Sequence, residues 1–274
     1  MRQIRQPRLA ELIAAQVRDD ILTGRLKEGD VLANQERLFS EYQVSPPALR
    51  EAMRILETDG LITVRRGNVG GAVVHVPTPQ RAAQMIAMVL QTRATSPSEV
   101  SIALGHMEPL CARLCAIRDD RAVSVVPELR ENVARQRENI GDAEEYLRHS
   151  RQFHANIVAL SGNEPLIVVI GALQAIWSAH DSLVWETLAE GIDVEADPTS
   201  LLARDTRRAS LRAHEKLVDE IEAGNADKAH KIAAAHLLAS HTNTLQTGDE
   251  RRIIANLLNQ AGLGPKSSST RTLS

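Results

Sequence analysis

The sequence predicts a mainly α protein: an N-terminal winged helix-turn-helix domain followed by an all-α antiparallel helical bundle. Three observations carry this expectation. Apolar residues recur at helical spacing along most of the 274 residues. Aromatic residues are scarce, two each of Trp, Tyr and Phe, which disfavours an all-β sandwich or barrel. The one clearly β-branched, alternating stretch is confined to residues 61–76, around a glycine-rich turn.

In the front part, Leu12, Ile13, Val17, Ile21 and Leu22 mark a helix that starts at Leu9 and stops at Thr23-Gly24, where glycine can take the left-handed conformation. After a turn over Leu26–Asp30, Asn34 is an N-cap for a short helix that turns Leu38, Phe39 and Tyr42 inward. A break over Gln43-Val44-Ser45 precedes the next helix, with Ser45 as N-cap and Pro46-Pro47 at positions whose N–H groups would be unpaired anyway. That helix faces Leu49, Ala52, Met53 and Leu56 inward and Arg50, Arg54 and Glu57 outward, closing at Asp59-Gly60. Strands over 61–66 and 72–76, joined by Gly67-Asn68-Val69-Gly70-Gly71, form a hairpin wing. Pro77-Thr78-Pro79 ends the first domain, residues 1–78.

The second domain, 79–248, reads as seven helices near 81–92, 97–118, 126–139, 143–160, 165–189, 199–223 and 226–246. Breaks at Ser96-Pro97, Pro127, Gly141-Asp142, Gly162-Asn163, Asp197-Pro198 and Gly224-Asn225 separate them. The tail, 249–274, is expected to be largely disordered, being small and polar from Gly262 onward.

With 24% charged and 43% hydrophobic residues the chain has a soluble composition, and no run of uninterrupted apolar residues approaches the length of a spanning helix. Met1–Arg5 lacks the apolar core of a secretory signal, so the expected place is the cytoplasm, with no membrane partner. Cys111 and Cys115, four apart on a helix, read as buried thiols rather than a bridge. The net charge of −3 hides two unlike parts. Residues 1–78 hold 11 Lys and Arg against 10 Asp and Glu, which leaves 21 against 25 behind them.

The front cations Arg37, Arg50, Arg54, Arg65 and Arg66 fall on one surface of a winged helix. The second helix of such a motif enters the major groove of duplex DNA, where an arginine at the place of Arg50 can hold guanine O6 and N7. Helix N-termini and wing glycines bring backbone N–H groups to phosphates, which suits Ser45, Gly67 and Asn68. The plainer alternative is that the arginines merely solvate helix faces.

Among nine histidines, His214 and His236 lie 11 residues on either side of Asn225, inside a helical hairpin turn. On antiparallel helices they therefore sit level, each roughly 16 Å from the turn. His154 follows Phe153 on another amphipathic helix. Imidazoles converging in a bundle core can hold a divalent metal such as zinc; alternatively each histidine caps or packs by itself.

The front segment resembles the GntR family of bacterial transcriptional regulators. The similarity runs from Leu9-Ala10-Glu11 through Ile21–Leu26, Gly29-Asp30, Gln35-Glu36-Arg37-Leu38, Val44-Ser45, Leu49-Arg50-Glu51-Ala52, Leu56-Glu57 and Gly60-Leu61 to Arg66-Gly67. It implies that Arg37, Ser45, Arg50 and Gly67 contact operator DNA. Pro46-Pro47 replaces the arginine-threonine pair common at those places and joins Arg54 and Asn68 among the expected DNA-facing positions. The back part, through Glu108-Pro109, Phe153-His154, Ser161-Gly162-Asn163, His214, Gly224 and His236, is similar to the helical effector domain of the FadR subfamily.

That resemblance implies a homodimer on a near-palindromic operator, acting most often as a repressor, and a metal held by an aspartate and three histidines. Those ligand positions correspond to Ser150, His154, His214 and His236, with serine where the carboxylate is usual. His180 is a candidate to complete the shell, and Ser150, His180, Leu104 and Glu108 are expected in the effector pocket. Sensors of small acids often carry arginine at the place of Leu104; its absence points toward a more apolar effector such as a fatty acid or acyl-CoA, with His106 as a possible substitute. The alternative from another class is a metal-dependent enzyme using the three histidines, although no local motif supplies a general acid or base.

Overall fold

The computed structural model describes residues 9–32, 45–65, 71–189, 203–246, 253–256 and 258, with backbone alone for 181–189 and 241–246. Its contacts divide it into two compact units, Met1–Thr78 and Pro79–Ser274.

The first unit contains α1 (Leu9–Leu22), β1 (Val31–Leu32), α2 (Pro46–Thr58), β2 (Ile62–Arg65) and β3 (Gly71–Val74). The inward face of α1 is Ala10, Ile13, Ala14, Val17 and Ile21, whereas Leu12 and Leu22 are 53% and 61% exposed. Two alanines occupy the inner stripe because α1 packs closely on α2, and the bulkier leucines point outward. The short strand β1, which has no periodicity of its own to announce it, pairs antiparallel with β3 and gives the order β1-β3-β2. Gly71 permits that crossing: a Cβ there would stand 3.0 Å from the carbonyl oxygen of Leu32. The expected helix around Leu38, Phe39 and Tyr42, and the wing turn, lie outside the described residues.

The second unit contains α3 (Pro79–Thr92), α4 (Pro97–Ile117), the single turn α5 (Arg121–Ser124), α6 (Val126–Glu138), α7 (Ala143–Ala159), α8 (Glu164–Ala189), α9 (Arg204–Glu222) and α10 (Ala226–Gln246). By length and composition α4 could cross a membrane, but it is the helix around which α7, α8, α9 and α10 pack, and it carries a buried carboxylate at Glu108. Its start is fixed by a capping box in which Ser96 accepts from the N–H of Glu99 and the Glu99 carboxylate accepts from that of Ser96. Cys111 and Cys115 are unbridged and buried in the core, and burial pushes their thiols up to about 11 and about 12.

Two arginines from the α4–α6 connection tie down helix ends. Arg118 donates to Leu160 O at the end of α7, and Arg121 donates to Glu222 O at the end of α9. The tail departs from expectation in one place. Ile253, Ala255 and Leu258 are buried in the bundle core, and the N–H groups of Ile253, Ile254 and Ala255 are accepted by Thr95 O, His180 Nε2 and Gln91 Oε1. Ile253, Ile254, Ala255 and Leu258 are apolar enough to pack on the bundle, so the disorder expected for most of 249–274 does not extend to them.

Candidate functional site

In the first unit, Ser45 has the extended backbone of an N-cap, but its side chain makes no capping hydrogen bond. Pro46 and Pro47 occupy the first two helical positions. A helix usually presents four unpaired N–H groups at this end. Here the prolines at the first two helical positions have none, and the N–H of Leu49 makes the first helical bond, to Ser45 O, so of the four groups from the N-cap onward those of Ser45 and Ala48 remain for a phosphate. Arg50 and Arg54 are exposed on the outer face of α2, and Arg54 lies 3.7 Å from Glu51. Arg37, Gly67 and Asn68 lie outside the described residues.

In the second unit, α7, α9 and α10 bring His154, His214 and His236 together. Nε2 of His214 is 2.9 Å from Nε2 of His236, which is 3.4 Å from Nε2 of His154. The hairpin at Gly224 sets the register of α9 and α10 that makes the first two level. Phe153 stacks on the His214 ring at 4.1 Å, holding its plane.

The other ring nitrogens decide which atom is available. Gln136 Nε2 donates to Asn132 Oδ1, which leaves Gln136 Oε1 as the acceptor 2.8 Å from His214 Nδ1. That nitrogen must therefore carry the hydrogen, and Nε2 of His214 keeps a lone pair. The Glu108 carboxylate, 2.6 Å from His154 Nδ1, does the same for His154, while its second oxygen accepts from Gln174 Nε2. Complete burial, then the neighbouring His236 and His154, pushes His214 well below the ordinary histidine pKa, so its ring is neutral near pH 7. Imidazoles converging through Nε2, each oriented by an acceptor on Nδ1 where that acceptor is identified, suit a divalent cation such as zinc.

A cavity of about 560 Å³ opens beside the cluster and is lined by His154, Ser150, Leu104 and Glu108. His180 does not line it. Its Nε2 accepts from the N–H of Ile254, and it is not in the group of ligand atoms that lie within 4.8 Å of one another among the described residues, which is His154, His214 and His236. His106 is exposed and is no substitute for a cation at position 104. The cations on the wall are Arg148, whose guanidinium is paired with Glu145, and Arg151 on α7, and Arg207 on α9, whose Nε donates to Ile140 O; Glu108 is the acidic residue on the wall. Arg207 is 2% exposed, an unusual burial for a guanidinium. Gln136, Gln174 and the arginines carried no sequence signal of their own, since none has a diagnostic spacing to the histidines.

Residues 9–73 match the family described as bacterial regulatory proteins, gntR family, and residues 99–239 match the FCD domain. The chain is 26% identical over 241 residues to the HTH-type transcriptional regulator Mce2R of Mycobacterium tuberculosis, covering 86% of this chain and 91% of that protein. It is 24% identical over 245 residues to the uncharacterized HTH-type transcriptional regulator YcbG of Bacillus subtilis, covering 89% and 93%. Among solved structures, Streptococcus agalactiae GntR shares the fold with a TM-score of 0.59 at 21% identity, over 85% of this chain and 99% of that one. These similarities leave no place for the enzyme alternative. The chain belongs to the gntR family of bacterial regulatory proteins, with an FCD domain as its helical unit, and is a transcription regulator.

Proposed function

We propose that this regulator is a FadR-type repressor that binds a near-palindromic operator as a homodimer and is released by an anionic effector held beside a metal. The observation that carries the effector reading is the cavity wall, where Arg151 and Arg207 join Glu108 and His154 of the imidazole cluster, while Arg148 on the same wall is paired with Glu145. Leu104, Leu147, Val158, Ile167 and Trp177 supply an apolar lining for the rest of the ligand. A volume of about 560 Å³ exceeds what a two- or three-carbon acid fills and lies within the usual range of small-molecule sites. A carboxylate with an apolar body, such as a fatty acid, fits both features.

His154, His214 and His236 would hold the cation through Nε2, with Glu108 and Gln136 fixing the rings of the first two. A bound divalent cation supplies Lewis acidity that anchors and orients an anionic group. Arg207 adds charge in a site withdrawn from water, where it counts for more than on the surface. Effector release of DNA requires that the effector bind the DNA-free state more tightly than the DNA-bound one, and DNA then weakens effector binding by the same factor.

The test is fluorescence anisotropy with the DNA upstream of the chain's own gene, against scrambled DNA over a range of salt. Wild type is expected to prefer the upstream sequence and to weaken steeply with salt, and Arg50→Ala to lose about 1–3 kcal/mol of that preference. Equal binding of both DNAs by wild type would overturn the regulator mechanism proposed for α2. Sedimentation equilibrium checks the dimer, and native mass spectrometry of the purified chain identifies any retained anion.

A further inference from the structure

Helix α3 and the segment that follows α10 both lie outside the two family matches, 9–73 and 99–239, and the fold brings them together. The N–H groups of Ile253, Ile254 and Ala255 alternate between two helices. Those of Ile253 and Ala255 go to Thr95 O and Gln91 Oε1 at the end of α3, each at 3.0 Å, and that of Ile254 goes to His180 Nε2 on α8 at 3.2 Å. The segment therefore bridges α3 and α8, which pack against each other.

Its side chains alternate in the same way. Ile253 and Ala255 are buried in the core, whereas Ile254 between them is 41% exposed, the pattern of an extended chain lying on an apolar surface. A turn in which the N–H of Leu258 bonds Ala255 O then returns Leu258 to the core. His180 is buried as well, and Ile254 supplies the partner that its Nε2 requires there. At the end of α3, Ala94 has φ 54, a left-handed conformation that alanine holds only when its surroundings impose it. The carbonyl of the next residue, Thr95, is the one that Ile253 engages.

The seam between α3 and α8 also bears on the cavity beside the histidines. Helix α3 begins at Pro79, where the chain enters the second unit. Pro79 and Gln80 of α3 and Gln174, Trp177 and Ser178 of α8 line that cavity. A bridge at the far end of α3 fixes these walls relative to each other.

We infer that the α3–α8 seam is a binding seat for a short apolar peptide, filled in cis by the segment carrying Ile253, Ala255 and Leu258, and that this occupant clasps α3 to α8. The seat selects an extended chain with apolar side chains at its first, third and sixth positions and an N–H at each of its first three. Proline is excluded from those three because it has no N–H to give. The clasp depends neither on a metal nor on the identity of the effector.

The test is hydrogen exchange of the full-length protein, followed by mass spectrometry of its peptic fragments. The double variant Ile253→Asp, Leu258→Asp places charge at two buried positions without shortening the chain. Its residues 79–92 are expected to exchange at least about tenfold faster than in wild type, with α6 and α9 unchanged. Ile254→Ser, at the exposed position, is expected to match wild type. A synthetic peptide with the sequence of residues 250–261, added in excess to the double variant, is expected to restore slow exchange over 79–92. The same peptide carrying Ala255→Pro is expected not to.

Wild-type exchange over 79–92 in the double variant would overturn the clasp. Equal acceleration in all helices would do so too, because the segment would then be one more part of the general core. If α3 loosens selectively but the unmodified peptide restores nothing, the seam is not a peptide seat. Equal rescue by the proline peptide would remove the hydrogen bonds to Gln91 from the account of what the seat selects.

Discussion

Oε1 of Glu108 lies 2.6 Å from Nδ1 of His154, joining two residues of α4 and α7 that are 46 positions apart in the chain. The carboxylate is almost inaccessible to water, and its other oxygen is fixed by Gln174. A buried carboxylate on the far nitrogen of a ligating imidazole raises the basicity of the near one and sets its direction. Glu108→Gln preserves shape and an acceptor but removes the charge. It is expected to lower zinc affinity about 10–100-fold in a competition titration of the metal-depleted protein against a fluorescent chelator. Unchanged affinity would mean that Glu108 only packs.

Gln136 makes the corresponding contact to His214, but without charge, and both residues are fully buried. Gln136→Leu is close in volume and leaves His214 Nδ1–H and Asn132 Oδ1 without their partner. The expected loss is about 1–3 kcal/mol in urea unfolding of the metal-free protein, the cost of stranding buried polar groups. A variant as stable as wild type would show that water or a rotated Asn132 replaces the amide.

Most of the bundle was legible because turn chemistry punctuates it. Gly224 at φ +74 and Gly162 at φ +71 end helices where the sequence shows glycine followed by asparagine. The level placement of His214 and His236 followed from counting residues to that turn, because antiparallel helices share a rise per residue. What could not be read were contacts between elements far apart in sequence. Arg207 and Gln136 have side-chain patterns indistinguishable from solvent-facing residues of amphipathic helices, and only packing buries them. The strand β1 was missed for a related reason: two residues carry no period, and their pairing to β3 is a tertiary event.

Gly224 is constrained twice. Its φ is in the left-handed region, and a Cβ would come within 2.9 Å of Arg121 Nη2, the arginine that caps α9 through Glu222 O. Gly224→Ala is therefore expected to destabilise by about 1–2 kcal/mol from the backbone alone. Displacing Arg121 also shifts the hairpin that aligns the histidines, so zinc affinity should fall together with the thermal midpoint. Loss of stability with zinc affinity intact would separate the turn from the site.

The start of α2 offers a gain-of-function prediction. Pro46-Pro47 leaves the N–H groups of Ser45 and Ala48 as the donors among the first four positions. Replacing the pair by Arg-Thr restores two amide donors and adds a cation. The expected result is tighter binding to any duplex and a slope of log affinity against log salt that steepens by about one. An unchanged slope would place this end of α2 away from the phosphates.

His149 gives a pH prediction away from the cluster. It is buried on α7, and burial, followed by the adjacent Arg148, lowers its pKa, while Glu145 at 3.7 Å opposes the shift and Arg135 and Glu138 act weakly from nearby. The unfolded chain therefore takes up this proton first as pH falls through about 6.5, and the folded chain resists it. Its contribution to stability is complete above that pH and is lost on acidification. His149→Gln removes the titration, so the variant's urea midpoint is expected to fall less than that of wild type between about pH 7.5 and pH 5.5. His214 is shifted in the same direction and remains in both proteins, so the difference between them isolates His149. Parallel curves would show that the His149 ring already sheds its proton at the same pH in both states.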